Sequence, residues 1–213
     1  MTALVLSSNE IDAMATKAAK GVGMPWGLAS DAGRAARWLA DHGLPGPEVL
    51  ADLLEWRDGR PHVEVAPPDV GLSWVDHPTV LDPVVVGAVC ADLPERLVAG
   101  RAELGRIRQP LLLGAALASV AIRTRTALVA SWGDATLGVG VGGATGCGSL
   151  GVVEAAVTVE PGRLDGEQLT APVDGWAVDP SAWARLEAYA HRTYAPDTEA
   201  SRLRGAGAGL IDD

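Results

Sequence analysis

Five prolines between residues 59 and 83 (Pro61, Pro67, Pro68, Pro78 and Pro83), with Gly59 and Gly71 among them, constrain this chain more than any other feature. Proline lacks an amide hydrogen and fixes φ, so no long helix or strand can run through that segment. Short extended pieces such as His62 to Ala66 are what it permits. The chain therefore divides into a unit over residues 1–58 and another over residues 59–213. Its 213 residues suit two small units that share a core and form one compact globule.

The first unit reads as three helices. Ser7 followed by Glu10 is a capping box, in which each side chain satisfies an amide left open at a helix start. Ile11, Met14, Ala15 and Ala18 then fall on one helical face. Gly21 and Gly23 end that helix and Pro25 opens the next turn. Leu28, Ala32, Ala35 and Leu39 form the second stripe, with Asp31, Arg34 and Asp41 facing outward and Gly43 closing the helix. The third helix, Pro47 to Trp56, buries Val49, Leu50, Leu53 and Leu54.

Strands dominate after the proline-rich segment. Val84 to Leu93 and Leu111 to Ile122 are buried runs of either type, and Pro94 to Gly105 reads as helical. Thr126 to Trp132, the turn Gly133-Asp134 and Ala135 to Val141 form a hairpin. Val152 to Val159 is a further strand, turned by Pro161-Gly162. Pro180 to Tyr194 reads as a helix capped by Asp179, with Trp183, Leu186, Ala190 and Tyr194 on its buried face. The expected fold class is α+β: an N-terminal helical bundle packed on a mainly antiparallel sheet, with a C-terminal helix and an extended arm.

Charge narrows the function. Acids outnumber bases 27 to 17, a net charge of −10, which excludes a nonspecific nucleic-acid binder. Six arginines between residues 96 and 125 face one acid, Glu103. They form either a solvated face or a guanidinium cluster aimed at a carboxylate or phosphate. No apolar run reaches the roughly 20 residues that cross a bilayer, and the first residues lack a signal peptide's basic region. Cys90 and Cys147 supply neither a disulfide framework nor a zinc site. The expectation is a cytoplasmic protein with neither nucleic acid nor membrane as partner.

Several groups are candidates for chemistry. Gly138, Gly140 and Gly143 have the G-x-G-x-x-G spacing, but no helix follows, so the glycines fit a sheet approached closely by chain or ligand. Cys147, between two glycines, reads as a structural cysteine rather than a catalytic one, since no histidine stands beside its thiol in sequence. Asp76, His77 and Asp82 read as a turn between prolines rather than as metal ligands, and no metal or other cofactor is specified. Trp26, Trp38 and Trp183 read as core aromatics, and Trp132 as a pocket wall.

The C-terminal segment carries the main candidates. His191 and Glu199 are placed as a proton-exchanging catalytic pair, and Ser201, Arg202, Tyr194 and Trp132 as substrate-binding residues. The glycine-alternating tail after them is suited to lying flat against another surface. The other reading of the tail is an arm stapled by an Arg–Glu pair.

Two segments resemble a known group. The opening Ser8-Asn9-Glu10-Ile11, continuing through Lys17 to Gly23, Trp26 to Ala29 and Ala36 to Leu39, is similar to the start of the bacterial domain-of-unknown-function family 3726. Arg192 to Pro196, Glu199 to Arg202 and the Gly-Ala tail resemble that family's end, although this chain finishes in Leu210-Ile211-Asp212-Asp213. The resemblance implies no activity and no catalytic residue. The residues themselves point to a metabolic enzyme or enzyme subunit acting on a small polar or anionic molecule. The alternative is an accessory module that docks onto a partner enzyme or a second copy of the chain.

Overall fold

A computed structural model describes residues 4–172 and 175–194. The fold is α+β. The three N-terminal helices are α1 (Ser8–Gly21), α2 (Trp26–Asp41) and α3 (Gly46–Arg57). The Ser7–Glu10 capping box is formed in both directions, and Gly43 takes the left-handed φ of 74° that ends α2. The proline-rich segment holds a short helix α4 (His62–Val65), where extended chain was expected. The apolar run after it is helical: α5 (Pro83–Asp92), started by Asp82 and buried over most of its surface, then α6 (Pro94–Ala99). Leu111 to Ile122 resolves into a 3₁₀ turn, Pro110–Leu113, and α7 (Gly114–Thr124).

A six-stranded antiparallel sheet follows. Its strands are β2 (Ala102–Arg108), β3 (Leu128–Trp132), β4 (Ala135–Gly140), β5 (Gly143–Cys147), β6 (Glu154–Pro161) and β7 (Glu167–Leu169), in the order β2-β6-β3-β4-β5-β7. Ser73 and Leu81 of the proline-rich segment bridge β2 in parallel, covering that edge. A separate ribbon pairs β1 (Leu4–Leu6) with β8 (Trp176–Val178) and leads into α8 (Pro180–His191). Helices α5 and α7 form the middle layer, packed on α2 from one side and on the sheet from the other. The N-terminal helices thus reach the sheet through them. Among the described residues, no helix is long and apolar enough to cross a membrane.

Three expectations are corrected. Ala102 to Arg108 is a strand, not the end of a helix, because Gly105 (φ 68°) and a register shift between Glu103 and Arg106 turn Leu104 and Ile107 both inward at a helix-like spacing. Trp26 is 70% exposed, its ring lying under the Lys20 ammonium rather than in the core. Tyr194 lies beyond the end of α8 and is exposed. Of the two readings of the arginines of 96–125, the solvated face agrees with the structure: Arg101 faces Glu103 and Glu160, Arg106 pairs with Glu154, and Arg96 and Arg123 bond backbone carbonyls.

Gly138 and Gly140 lie beneath Leu164: a Cβ built on either would come within 3.4 Å of it. The glycine-rich stretch is a hairpin crossed closely by the chain, with strand β5 where a dinucleotide motif would need a helix.

The C-terminal helix is clamped to α3. Arg185 bonds Asp52 (2.7 Å) and Glu55 (2.9 Å), and Arg192 forks onto both carboxylate oxygens of Asp58 (2.7 and 2.9 Å). That fork holds the Asp58 carboxyl below its ordinary 3.8. The hydroxyl of Ser181, with the amides of Ala182 and Ser181, does the same for Asp179 at the start of α8. Carboxyls depressed in the fold contribute stability above their unfolded values and lose it as the pH falls through their folded ones. Thermal melts across the acid range will therefore show stability declining below about pH 4, with a shallower decline in Asp58→Asn. Superimposable pH profiles for the two proteins would refute the role of the Arg192–Asp58 fork.

Candidate functional site

Glycines at two helix crossings bring the walls of a trough together. A Cβ on Gly33 of α2 would collide with Thr16 and Asp12 of α1, and one on Gly114 of α7 would collide with the Trp38 ring of α2. Where α2, α5 and α7 meet, a cavity of about 420 Å³ opens. Its floor is Val84, Gly87, Ala88 and Ala91 of α5 with Leu112, Ala115 and Ala116, and its rim is Asp31, Arg34, Asp92 and Ser119. A second cavity, of about 300 Å³, adjoins it and shares Arg34 and Ala115. Asp12, Arg37, Trp38 and Asp41 complete that end.

The two hollows make up a trough beside α2: the first has an apolar bottom under a charged rim, and the second is lined mostly by charged side chains. Such concave apolar surface with a few convergent polar groups is the usual form of a small-molecule site. A third hollow, about 490 Å³, lies between the 68–78 loop and Glu103, but polar loop residues line most of it and it lacks an apolar floor.

The charged wall has an internal order. Arg34 is bonded to Asp31 and to Ser30 Oγ (2.9 Å). Arg37 is held more loosely, 3.4 Å from Asp41 and 3.8 Å from Asp12. Charge-assisted hydrogen bonds of full strength are about 2.7–2.9 Å long, so Arg37 stands between two carboxylates without a full-strength bond to either. The other side of the wall is fixed: Ser8 Oγ bonds Asp41, Thr16 Oγ1 bonds Asp12 (3.3 Å), and His42 stacks on Trp38 with ring centroids 4.1 Å apart.

The residues singled out in the sequence are distributed differently. His191 ends α8, exposed, and meets Tyr194 edge-on at 5.4 Å. These two are the members of the set that the structure brings together. Trp132 is 2% exposed on the core side of β3, so it presents no surface to a ligand. Helix α8 packs on α1 and α3, whereas β3 pairs within the sheet and packs on α7. Glu199, Ser201 and Arg202 lie outside the described residues, as does the glycine-alternating tail.

Arg192 bonds Asp58. Cys147 is exposed at the end of β5. Cys90 is buried, which pushes its thiol up to about 12. Asp82 is committed to Arg57 and to the α5 amides, not to Asp76 and His77. His77 bonds Thr79 at 2.8 Å.

Reading the sequence missed the trough. Asp31, Arg34 and Asp41 were correctly turned away from the α2 core stripe, but nothing in the sequence places α5 and α7 beside them. The available signal is weak: small residues spaced one turn apart on both floor helices, Gly87 and Ala91, Ala115 and Ser119.

The fold and the trough define an α+β protein with a small-molecule-sized groove between helices. Residues 6–70 match the family described as "Protein of unknown function (DUF3726)". The chain resembles that family over its N-terminal helices, and the matched span contains Asp12, Asp31, Arg34, Arg37, Trp38 and Asp41, the charged wall of the trough. The C-terminal motif that also suggested the family lies beyond the matched residues. No curated protein and no solved structure matches the chain.

Proposed function

We propose that this protein binds a small polar or anionic molecule with an apolar body, and serves as a ligand-binding protein or the binding subunit of an enzyme. The observation that carries this is a pair of adjoining hollows that share Arg34 and Ala115, the first with Arg34, Asp31 and Asp92 around an apolar floor and the second with Arg37 among Asp12 and Asp41. Arginine matches a carboxylate with parallel donors, and the floor offers burial at about 25 cal/mol per Å² of apolar surface covered.

Caproate, a carboxylate with a short apolar tail, is a suitable first probe. Millimolar caproate is expected to raise the melting temperature of the wild-type protein, since a ligand bound only by the folded state stabilises it. Ala116 is half-buried beside Gly87 on the floor, and Ala116→Leu fills the space the tail would occupy. That variant should fold normally and lose the caproate-induced shift. Equal stabilisation of both proteins would show that caproate binds elsewhere and would end the proposal.

A further inference from the structure

We infer that the chain beyond α8 supplies the trough's own occupant: the segment Gly205 to Ile211 lies along the floor between α5 and α7 and competes there with the small molecule. This rests on the trough being the binding site and adds how access to it is regulated. The segment falls within residues 195–213, outside the described ones.

The floor is narrow because α5 and α7 meet at their smallest residues. A Cβ built on Gly87 of α5 would stand 3.0 Å from the Ala116 Cβ of α7. Ala88, Ala91 and Ala115 continue the surface, so no side chain larger than a methyl rises from its middle. Its small residues recur four apart, Gly87 and Ala91, Ala115 and Ser119, which is about 6 Å of helix rise. In extended chain, residues two apart share a face at a spacing of about 6.7 Å. Ala206 and Ala208 would thus present two methyls on one face at nearly the floor's repeat, with glycines between them and Leu210 next on the same face.

The helices give the trough a direction. Gly114 at the start of α7 abuts Trp38, and Arg123 near its end bonds the Ala91 carbonyl of α5. One end therefore holds Asp31, Asp92 and Ser119, and the other holds Val84 and Leu112. The end of α8 lies toward the first. A Cβ on Gly21, at the end of α1, would run into the Tyr189 carbonyl, and Trp26 opens α2 five residues after Gly21. The path from Tyr194 through Tyr189, Gly21 and Trp26 to Asp31 is at most about 40 Å. Extended chain covers that in about twelve residues, which brings Ala206 to the Asp31 end. From there to Leu210 is about 13 Å, and the eight residues of α5 from Asp92 back to Val84 rise about 12 Å. Leu210 then meets the apolar end of the floor. Tethering makes the docking intramolecular, at an effective concentration of about a millimolar, so contacts too weak to hold a free peptide suffice.

Full-length protein carrying Asp212→Cys and Cys147→Ser takes a nitroxide label at one accessible thiol, since Cys90 is buried. The label is expected to broaden the amides of Val84 to Ala88 and Leu112 to Ala116. Adding Ala206→Glu and Ala208→Glu sets two charges against the apolar floor and should remove that broadening. Broadening that gathers elsewhere, that survives the two glutamates, or that passes to unlabelled copies in a mixture overturns the inference. Calorimetry with caproate supplies the second arm. A tail docked about two-thirds of the time weakens caproate about threefold. Ala206→Glu/Ala208→Glu in the otherwise native chain should therefore bind caproate about threefold more tightly than wild type. Equal affinity in the two proteins means that the tail does not occupy the site, which itself stands. If caproate binds neither protein, the small-molecule reading falls, and the broadening alone decides whether the tail lies in the trough.

Discussion

Arg57→Met is expected to lower the unfolding free energy at neutral pH by about 3–5 kcal/mol, the cost of stranding a buried charge. The Arg57 and Asp82 side chains are 4% and 0% exposed and bonded to each other. Asp82 also accepts the amides of Val84 (2.8 Å) and Val85 (3.4 Å), capping α5, and Arg57 reaches His62 Nδ1 at 3.4 Å. One pair thus ties the end of α3 and the end of the proline-rich segment to the start of the helix that floors the trough. Burial pushes the Asp82 carboxyl up, and Arg57 with the two amides pulls it back.

Without the guanidinium the upward push is unopposed except by the amides. An acid whose folded pKa is raised destabilises the fold above that pKa and is relieved below it. The deficit of Arg57→Met should therefore shrink as the pH is lowered, and Arg57→Met/Asp82→Asn should recover a substantial part of it at neutral pH. Urea titrations of the two variants and wild type provide the measurement. A deficit under about 1 kcal/mol, the range of exposed pairs, would contradict the pair's role.

Gly21→Ala is expected to cost about 2–3 kcal/mol, the range of overpacking a close contact. A Cβ at Gly21 would run into the Tyr189 carbonyl, where α8 crosses α1 backbone against backbone. No side-chain rotation relieves that clash, so α8 must shift and pull against its arginine clamps on Asp52, Glu55 and Asp58. Amide exchange in α8 should accelerate accordingly. Gly27→Ala is the contrasting case. Gly27 lies in the first turn of α2, and a Cβ there meets nothing within 4 Å. Alanine is better than glycine in a helix by up to about 1 kcal/mol, so this variant should be slightly stabilised. Equal losses in both variants would mean that helix propensity or a general intolerance is acting, not the crossing.

The parts of the fold that were legible in the sequence are those fixed by neighbours along the chain. The Ser7–Glu10 box, Gly43 at the end of α2, and Asp179-Pro180 at the start of α8 each place a cap within three residues of the group it satisfies. Misreadings arose where distant chain decides. The bulge at Gly105 gives β2 a helix-like spacing of inward residues, and only pairing with β6 reveals it as a strand. Trp26 is large and apolar, yet it sits before the first buried residue of its helix, over which no other element closes.

The site followed the same division. Arg34 and Asp41 were assigned correctly to an outward face because helical spacing alone determines it. Their opposing floor comes from helices more than forty residues further along the chain, built from alanines and glycines whose side chains carry no chemical signature. The Arg57–Asp82 pair was invisible for the same reason, its members standing 25 residues apart with the proline-rich segment between them.

Amide chemical-shift mapping of the full-length protein titrated with caproate tests the ligand-binding trough most directly. Saturable shifts are expected on three helices together: Asp31 to Trp38, Gly87 to Asp92, and Ala115 to Ser119. Saturable shifts that leave these helices untouched and gather instead around His77 and Glu103, or around His191 and Tyr194, would contradict it.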